Sequence, residues 1–276
     1  MDYRYARTYT GPLQAAIFDW AGTTVDFGCC APAIVFVEVF KREGVEITIG
    51  QAREPMGLYK RDHIAAITAM EPVARAWEAA RGAPPAEPDI DRMFDAFIPL
   101  QIDILADYSE VIPGTLEAIA ELRKNGLKIG STTGYTAEMM AVVTVEAQKR
   151  GYEPDAMLCV SDVPAGRPAP WMAFHNCERL GVYPTEAVVK IGDTAPDILE
   201  GLNAGMWTIA LTDTGNEMGL TLAEYNALDD AQKALRREKA SQKLAQTGAH
   251  YIAQSIEAVP ALIGAINARL ARGERP

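Results

Sequence analysis

The sequence predicts an α/β protein with a doubly wound, mostly parallel, Rossmann-like core sheet and an inserted all-helical cap domain. Three observations lead to this fold class. Short apolar runs alternate with amphipathic segments from residue 108 onward, and polar loops follow several of these runs. Residues 29–107, which contain no convincing strand pattern, interrupt the alternation directly after the first apolar run.

The first predicted strand covers residues 15–18 and stops abruptly at Asp19, which is followed by a loop containing Gly-Thr-Thr. Asp19 would therefore lie at the carboxyl end of a buried strand, the edge of an open α/β sheet where ligands bind. A single aspartate at such a place is more often a turn or helix-capping residue. The polar residues that follow the later predicted strands decide between the two interpretations.

The segment after the first strand is predicted to be entirely helical. Its chain connections leave from the same edge of the sheet as Asp19, so the block is expected to cover the crevice as a lid. We expect a catalytic core of residues 1–28 and 108–276 and a cap of residues 29–107. The predicted cap helices cover residues 33–42, 49–56, 58–70, 73–81 and 90–106.

The rest of the chain alternates helix and strand. Together with the first strand this gives five strands separated by helices, the pattern of a doubly wound parallel sheet. Residues 222–246 and 256–270 are expected to form terminal helices. The four further strands are predicted at residues 127–130, 157–160, 188–192 and 207–211.

Composition restricts the function classes. The net charge of −11 argues against a nucleic-acid partner, because phosphate backbones are bound by clustered Lys and Arg. No stretch approaches the ~20 apolar residues that a membrane span needs. Residues 1–12 lack the apolar core of a secretory signal. We therefore expect a cytoplasmic protein that acts on a small molecule and binds neither nucleic acid nor membrane.

Polar residues follow four of the predicted strands and should meet at one sheet edge. They provide a carboxylate nucleophile, a hydroxyl and a cation for phosphate oxygens, and further carboxylates for a hard metal ion. Mg²⁺ prefers oxygen ligands and keeps several waters, so two carboxylates and a backbone carbonyl would suffice. The residues are Asp19, Thr133, Arg167, Asp193 and Asp197.

In this order the residues resemble the haloacid dehalogenase superfamily of aspartate-nucleophile phosphotransferases, over residues 13–30 and 110–212. Phosphatases of that superfamily usually carry a second aspartate two positions after the nucleophile, where it serves as the general acid. Ala21 occupies this position and can offer only its backbone carbonyl, to the metal. An ester phosphatase with this sequence would lack its general acid.

The predicted lid offers another means of stabilising the leaving group. Met56, Lys60 and His63 lie four and three residues apart, so on a helix they share one face. A single helical lysine is usually solvated. With an aldehyde or ketone substrate, however, its amine can form an imine that draws electrons from a neighbouring carbon–phosphorus bond. That step needs no proton donor at position 21.

Five segments combine these features: Phe18-Asp19-Trp20-Ala21-Gly22-Thr23-Thr24-Val25-Asp26, Met56-Gly57-Leu58 with Lys60, Gly130-Ser131-Thr132-Thr133-Gly134-Tyr135, Asp162-Val163-Pro164-Ala165-Gly166-Arg167-Pro168 and Gly192-Asp193-Thr194. They resemble the phosphonoacetaldehyde hydrolase family. The resemblance implies a homodimeric, Mg²⁺-dependent enzyme that hydrolyses the carbon–phosphorus bond of a small phosphonate substrate, phosphonoacetaldehyde, to acetaldehyde and phosphate.

The resemblance also implies roles for individual residues. Asp19 would form an aspartyl phosphate, and Lys60 would form the Schiff base. Two residues would bind phosphonate oxygens (Thr133 and Arg167), and four would surround the metal (Asp19, Ala21, Asp193 and Asp197). His63 and Tyr135 would take part in proton transfer and Met56 would pack near the imine, while the position of Cys29 soon after Asp19 lets it line the same cleft.

Two alternatives stay open at the level of sequence. One is a phosphatase of the same superfamily that acts on a small phosphate ester, with Lys60 as a specificity residue. Ala21 argues against it. The other is a noncatalytic sensor of phosphorylated metabolites, and the presence of both Asp19 and Lys60 argues against that.

Overall fold

A computed structural model describes residues 8–276, and its centre is a six-stranded sheet. Every neighbouring pair of strands is parallel, and the strand order is β3-β2-β1-β4-β5-β6. This confirms the predicted fold class. The strands are β1 (Ala15–Phe18), β2 (Lys128–Thr133), β3 (Ala156–Cys159), β4 (Val188–Gly192), β5 (Trp207–Leu211) and β6 (Tyr251–Ala253).

Five helices lie between β1 and the next core helix, and no strand is found among them within the described residues. We call them the cap helices: α1 (Cys30–Arg42), α2 (Ile49–Arg53), α3 (Lys60–Thr68), α4 (Glu71–Arg81) and α5 (Glu87–Leu105). The division into a core of residues 1–28 and 108–276 and a cap of residues 29–107 stays a prediction. Residues 1–7 of that core lie outside the described residues.

Seven further helices accompany the sheet in the described part of the chain. They follow the predicted alternation with the strands, which is the arrangement that covers both faces of a parallel sheet with helices. They are α6 (Thr115–Lys124), α7 (Ala137–Lys149), α8 (Trp171–Leu180), α9 (Ala195–Asn203), α10 (Leu222–Ala227), α11 (Asp230–Ala245) and α12 (Val259–Ala271).

Strand β1 lies in the middle of the sheet and positions the functional residues. All four of its residues are fully buried, as expected for a strand covered on both faces. Phe18 pairs with Ser131 of β2 on one side and with Ile191 of β4 on the other. The residues that follow these strands, Asp19 and Asp193 among them, therefore emerge together at one edge.

The number of strands predicted from the sequence was wrong, because β6 was missed. This strand has only three residues, two of them half-buried, and β5 is its only partner strand in the described part of the chain. Such a short run gives no periodic signal. The single helix expected over residues 222–246 is two helices, because Asp229 caps α11 by accepting a hydrogen bond from the Gln232 N–H at 2.8 Å.

The first connection between core and cap has an unusual backbone. Three of its four residues from Asp26 to Cys29 have positive φ: Asp26 (53°), Gly28 (87°) and Cys29 (50°). The Asp26 carboxylate accepts hydrogen bonds from the N–H groups of Cys30 and Ala31, both at 3.0 Å. These bonds satisfy N–H groups at the start of α1 and fix the direction in which the cap leaves the core.

Within residues 8–276, no helix combines the length and the apolar character needed to cross a membrane.

Candidate active site

Asp19 begins the loop after β1 and is held from two sides. Its N–H donates to the Ile191 carbonyl at 2.9 Å, which continues the pairing of β1 with β4. Arg167, from the loop after β3, places Nη2 2.8 Å from Asp19 Oδ1. Burial raises the pKa of Asp19, and the Arg167 guanidinium opposes that rise. The pairing favours the ionised carboxylate that a nucleophile requires.

Three carboxylates at this edge lie close enough together to hold a metal ion. Single oxygens of Asp19, Asp193 and Asp197 all lie within 4.8 Å of one another. Asp193 is oriented by two donors, Thr23 Oγ1 at 3.0 Å and the Asn216 N–H at 2.8 Å. Burial, with the charge of Asp19 next in size, raises the pKa of Asp193 well above its ordinary value. A bound cation would reverse that effect.

Arg167 belongs to a buried network that the sequence analysis did not identify. Its Nη1 lies 2.8 Å from Asp197 Oδ1, and its Nε lies 3.1 Å from Glu200 Oε2. Lys190 Nζ lies 2.7 Å from the same Asp197 oxygen and 3.7 Å from Glu200 Oε2. Burial disfavours ionisation of Asp197, but Arg167 and Lys190 outweigh it and keep its pKa below the ordinary value.

The charges of this cluster do not balance within the described residues. Four buried carboxylates, Asp19, Asp193, Asp197 and Glu200, face two buried cations, Arg167 and Lys190. With all four carboxyl groups ionised, as a bound cation would keep them, the excess of two negative charges equals the charge of one divalent cation. Oxygen ligands of this kind suit a hard ion such as Mg²⁺, so the residues present fit a metal there.

Lys60 is the first residue of α3 and is buried, with 3% of its surface exposed. Its Nζ lies 5.1 Å from the ring centroid of Tyr135 and 5.7 Å from that of Phe36. In the described part of the chain, no carboxylate oxygen lies within 4.0 Å of this amine. Burial lowers the pKa of Lys60, which increases the fraction of the neutral, nucleophilic form.

Most of the sequence-predicted residues converge on one small cavity between the cap helices and the sheet edge. Its volume is about 20 Å³, room for one water molecule. We therefore expect the cap to move before a substrate enters. The lining residues are Asp19, Ala21, Cys29, Pro32, Met56, Gly57, Lys60, Thr133, Gly134, Tyr135, Arg167 and Thr194.

His63 does not line this cavity. Its Nε2 lies 2.8 Å from the Ala52 carbonyl and its ring stacks on Phe36 with centroids 3.8 Å apart. A carbonyl only accepts, so Nε2 carries the proton, and the buried Nδ1 has no partner among the described residues. Burial, and next the charge of Lys60, lowers the pKa of His63 well below its ordinary value. Its expected part in proton transfer stays a prediction.

Three more of the predicted residues line the cavity: Tyr135, Cys29 and Thr133. Burial raises the pKa of Tyr135 well above its ordinary value, so its phenol keeps its proton. Burial likewise raises the pKa of Cys29, which keeps the thiol neutral and a poor nucleophile. Thr133 Oγ1 accepts a hydrogen bond from the Tyr135 N–H at 3.1 Å.

Comparison with known proteins agrees with this geometry. Residues 13–205 match the haloacid dehalogenase-like hydrolase model. A phosphonoacetaldehyde hydrolase-like protein of Syntrophobacter fumaroxidans is 51% identical, over 97% of both chains. A phosphonoacetaldehyde hydrolase of Nitratidesulfovibrio vulgaris is 46% identical, over 98% of this chain and 96% of the relative. The chain belongs to the phosphonoacetaldehyde hydrolase family of haloacid dehalogenase-like hydrolases.

A solved structure agrees as well. The crystal structure of a phosphonoacetaldehyde hydrolase-like protein from Oleispira antarctica superposes with a TM-score of 0.97, at 41% identity and over the whole of both chains. Membership of the phosphonoacetaldehyde hydrolase family also confirms that the protein is a hydrolase.

The loop that carries Ala21 is packed against the metal site. Gly22 has φ +86°, and a Cβ added there would lie 2.4 Å from Asp193 Oδ2. Only glycine therefore lets the backbone of this loop approach the carboxylate so closely. Ala21 itself faces the cavity, so no carboxylate occupies the position from which most phosphatases of the superfamily protonate their leaving group.

Proposed function

We propose that this protein hydrolyses phosphonoacetaldehyde to acetaldehyde and phosphate. One observation carries the proposal: Lys60, Asp19 and Ala21 line the same small cavity, so an amine and the nucleophile share a site where a general acid is missing. The printed names of the relatives support the same substrate. A phosphate-ester substrate would leave the buried amine without a chemical role.

In the first step the neutral amine of Lys60 attacks the aldehyde carbonyl. Loss of water gives a protonated imine, which is covalently fixed in the cavity and places a positive charge two bonds from the carbon that carries phosphorus. The surroundings favour this step, because burial lowers the pKa of Lys60 and supplies the free amine.

In the second step Asp19 attacks phosphorus. The electron pair of the carbon–phosphorus bond moves into the carbon skeleton and neutralises the imine nitrogen, so the carbon leaves as an enamine. Arg167 and Thr133 bind the phosphonate oxygens. The Arg167 guanidinium already lies 2.8 Å from Asp19, so its charge is close to the oxygens that surround phosphorus.

In the third step water cleaves the aspartyl phosphate and releases phosphate. The enamine carbon takes up a proton to return to the imine, and a second water releases acetaldehyde and restores Lys60. Tyr135 is the donor that we propose at this carbon, because its protonated phenol lines the cavity and its ring faces the amine. We propose that His63 takes part in proton transfer through the neighbouring cap residues, since it does not line the cavity itself. Met56 and Cys29 would pack around the imine.

We propose Mg²⁺ as the metal, bound by Asp19, Asp193 and the Ala21 carbonyl, with Asp197 just outside these ligands, where Arg167 and Lys190 hold it. When bound, it offsets the repulsion between an anionic nucleophile and an anionic substrate. The excess of two negative charges among the buried groups supports this assignment. Isothermal titration of the metal-free protein with Mg²⁺ would test it, and Asp193→Asn is expected to abolish most of the binding heat.

The experiment that tests the proposed chemistry is mass spectrometry after reduction with borohydride. The protein is mixed with Mg²⁺ and acetaldehyde or phosphonoacetaldehyde, reduced, and digested. A reduced adduct on Lys60, absent from Lys60→Arg, is the expected result. A folded protein that forms no adduct but releases phosphate from p-nitrophenyl phosphate without needing Lys60 would instead be an ester phosphatase.

We also propose that the protein is a homodimer, as the family resemblance implies. An exposed aromatic pair on α8 offers an apolar surface for it: Trp171 and Phe174 are 43% and 37% exposed, with ring centroids 6.3 Å apart. Sedimentation velocity of the protein and of Trp171→Glu would test the assembly and the surface together. A cytoplasmic location stays a prediction.

A further inference from the structure

The loop of residues 213–219, which follows β5, contacts three functional parts of the protein. The Asn216 N–H donates to Asp193 Oδ2 at 2.8 Å. Thr214 Oγ1 donates to the Gly22 carbonyl, in the loop that carries Ala21, at 2.8 Å. The Thr214 carbonyl accepts from the Gly28 N–H, in the connection to the cap, at 2.7 Å. We call this segment the β5 loop.

Arg53, the last residue of cap helix α2, is bonded to the β5 loop in both directions. Its Nη1 donates to Asn216 Oδ1 at 3.2 Å, and its carbonyl accepts from Asn216 Nδ2 at 3.1 Å. The same Nη1 lies 2.7 Å from the Gly28 carbonyl and 3.2 Å from the Cys29 carbonyl. One cap side chain thus binds both the core–cap connection and the residue that orients Asp193.

Two further features indicate that this contact is specific. Gly219 has φ +63°, and a Cβ there would lie 3.1 Å from Arg53 Nε, so glycine leaves room for the guanidinium. Lys243 of α11 lies 3.5 Å from a Glu54 oxygen in the cap and 3.0 Å from a Glu217 oxygen in the β5 loop. Lys243 therefore connects Glu54 and Glu217, the residues next to Arg53 and Asn216.

We propose that Arg53 is a positioning residue that couples closure of the cap to the geometry of the metal-binding carboxylate Asp193, through Asn216. This inference rests on the proposed function, in which a metal and a moving cap are both needed. When the cap lies against the core, Arg53 holds the Asn216 side chain and with it the N–H that orients Asp193. When the cap moves away, that restraint is lost.

The coupling acts in both directions, as thermodynamic linkage requires. A closed cap favours the arrangement of Asp193 that binds the cation, and a bound cation favours the closed cap. Residues that orient metal ligands from outside typically contribute 10–100-fold to metal affinity. Arg53 acts on Asp193 only through Asn216, so we expect its loss to weaken metal binding by a smaller factor, about fivefold to tenfold.

The test compares Arg53→Gln with Arg92→Gln. Arg92 is a cap arginine whose guanidinium, among residues 8–276, binds only the cap residues Glu43 and Asp89. Electron paramagnetic resonance gives the Kd of Mn²⁺, and hydrogen exchange of residues 213–219 is followed with and without the metal. We expect Arg53→Gln alone to raise the Kd and the exchange rate. Equal Kd values for both folded variants and the unaltered protein would overturn the inference.

Asn216→Ala provides the second test, since it removes the side chain that Arg53 binds but keeps the N–H toward Asp193. If Arg53 acts through Asn216, the double variant should bind Mn²⁺ no more weakly than Asn216→Ala alone. Additive losses would refute this route. Neither readout needs turnover, so a protein that fails to cleave phosphonoacetaldehyde but shows these Kd changes would refute the proposed function and leave the coupling intact.

Discussion

Replacing Glu200 with alanine is expected to lower the free energy of unfolding by about 3–5 kcal/mol, the cost of removing one partner from a buried charge pair. Glu200 is fully buried, and its Oε2 accepts from Arg167 Nε at 3.1 Å and from Thr132 Oγ1 at 2.9 Å. Lys190 Nζ lies 3.7 Å away. Alanine would leave the buried Arg167 Nε–H without its acceptor and would remove one of the carboxylates that surround Arg167 and Lys190.

Glu200→Gln separates the charge from the hydrogen bonds. A neutral amide oxygen can still accept from Arg167, so the expected loss is smaller, about 1.5–3 kcal/mol for a bond to a charged group. Arg167 would also be less firmly oriented toward Asp19. Both variants should therefore bind phosphate, the product, more weakly than the unaltered protein.

Urea unfolding followed by circular dichroism measures these losses, with Glu38→Ala as the control. Glu38 pairs with Arg42 on the surface, and their side chains are 44% and 52% exposed, so its loss should change stability by less than about 0.5 kcal/mol. A loss below about 1 kcal/mol for Glu200→Ala would refute the conclusion that the contacts of Glu200 with Arg167 and Lys190 stabilise the buried network.

Three further predictions follow from the site. Because burial lowers the pKa of Lys60, the pH at which borohydride trapping of acetaldehyde reaches half its maximum should lie below the ordinary lysine pKa of about 10.4. A midpoint at or above that pH would contradict this. Gly57→Ala should raise KM about tenfold, since Gly57 has φ +94° and its added Cβ would lie 2.2 Å from Thr194 Oγ1. Gly44 also has positive φ, but a Cβ added there would meet no atom of residues 8–276 within 4 Å, so Gly44→Ala should leave KM unchanged in the same assay. Removing divalent cations should lower the melting temperature measured by calorimetry. Mg²⁺ at a concentration of 100 times its Kd should restore about 2.7 kcal/mol of the free energy of unfolding. An unchanged melting temperature would argue against a metal at Asp193.

The sequence could predict the site residues that follow strands. Asp19 and Asp193 come directly after short apolar runs, and the parallel topology places the ends of such runs at one edge. Lys60 could be related to them because the predicted cap is inserted at that same edge. These inferences need only local patterns and one rule of topology.

The buried network could not be predicted in this way, because its contacts depend on how closely α9 packs against the sheet. A Cβ on Gly201 would lie 2.8 Å from Lys190 Cβ and 2.7 Å from Thr208 Cγ2, so this glycine sets the separation. At that separation Asp197 and Glu200 reach Lys190. The one available signal was a lysine inside the otherwise apolar β4, which predicts a buried counter-charge without identifying it.

No sequence pattern could predict the contact of Asn216 with Asp193, because it is made by the backbone N–H. Any residue except proline could donate that bond. Its importance becomes visible only when Arg53 is found on its side chain, and the two residues are 163 positions apart in the chain. Couplings of this kind require the folded structure.

The absence of a carboxylate at position 21 and the presence of Lys60 support each other. A carboxylate there would line the same cavity as the amine and raise the pKa of Lys60, which would keep it protonated and unable to form an imine. It would also add a negative charge to a cluster that already has an excess of two. Once an imine carries the electrons of the broken carbon–phosphorus bond, the leaving group needs no proton, so the acid would be both unnecessary and harmful. A residue without a carboxylate, as Ala21 is, is therefore what the proposed imine chemistry requires at this position.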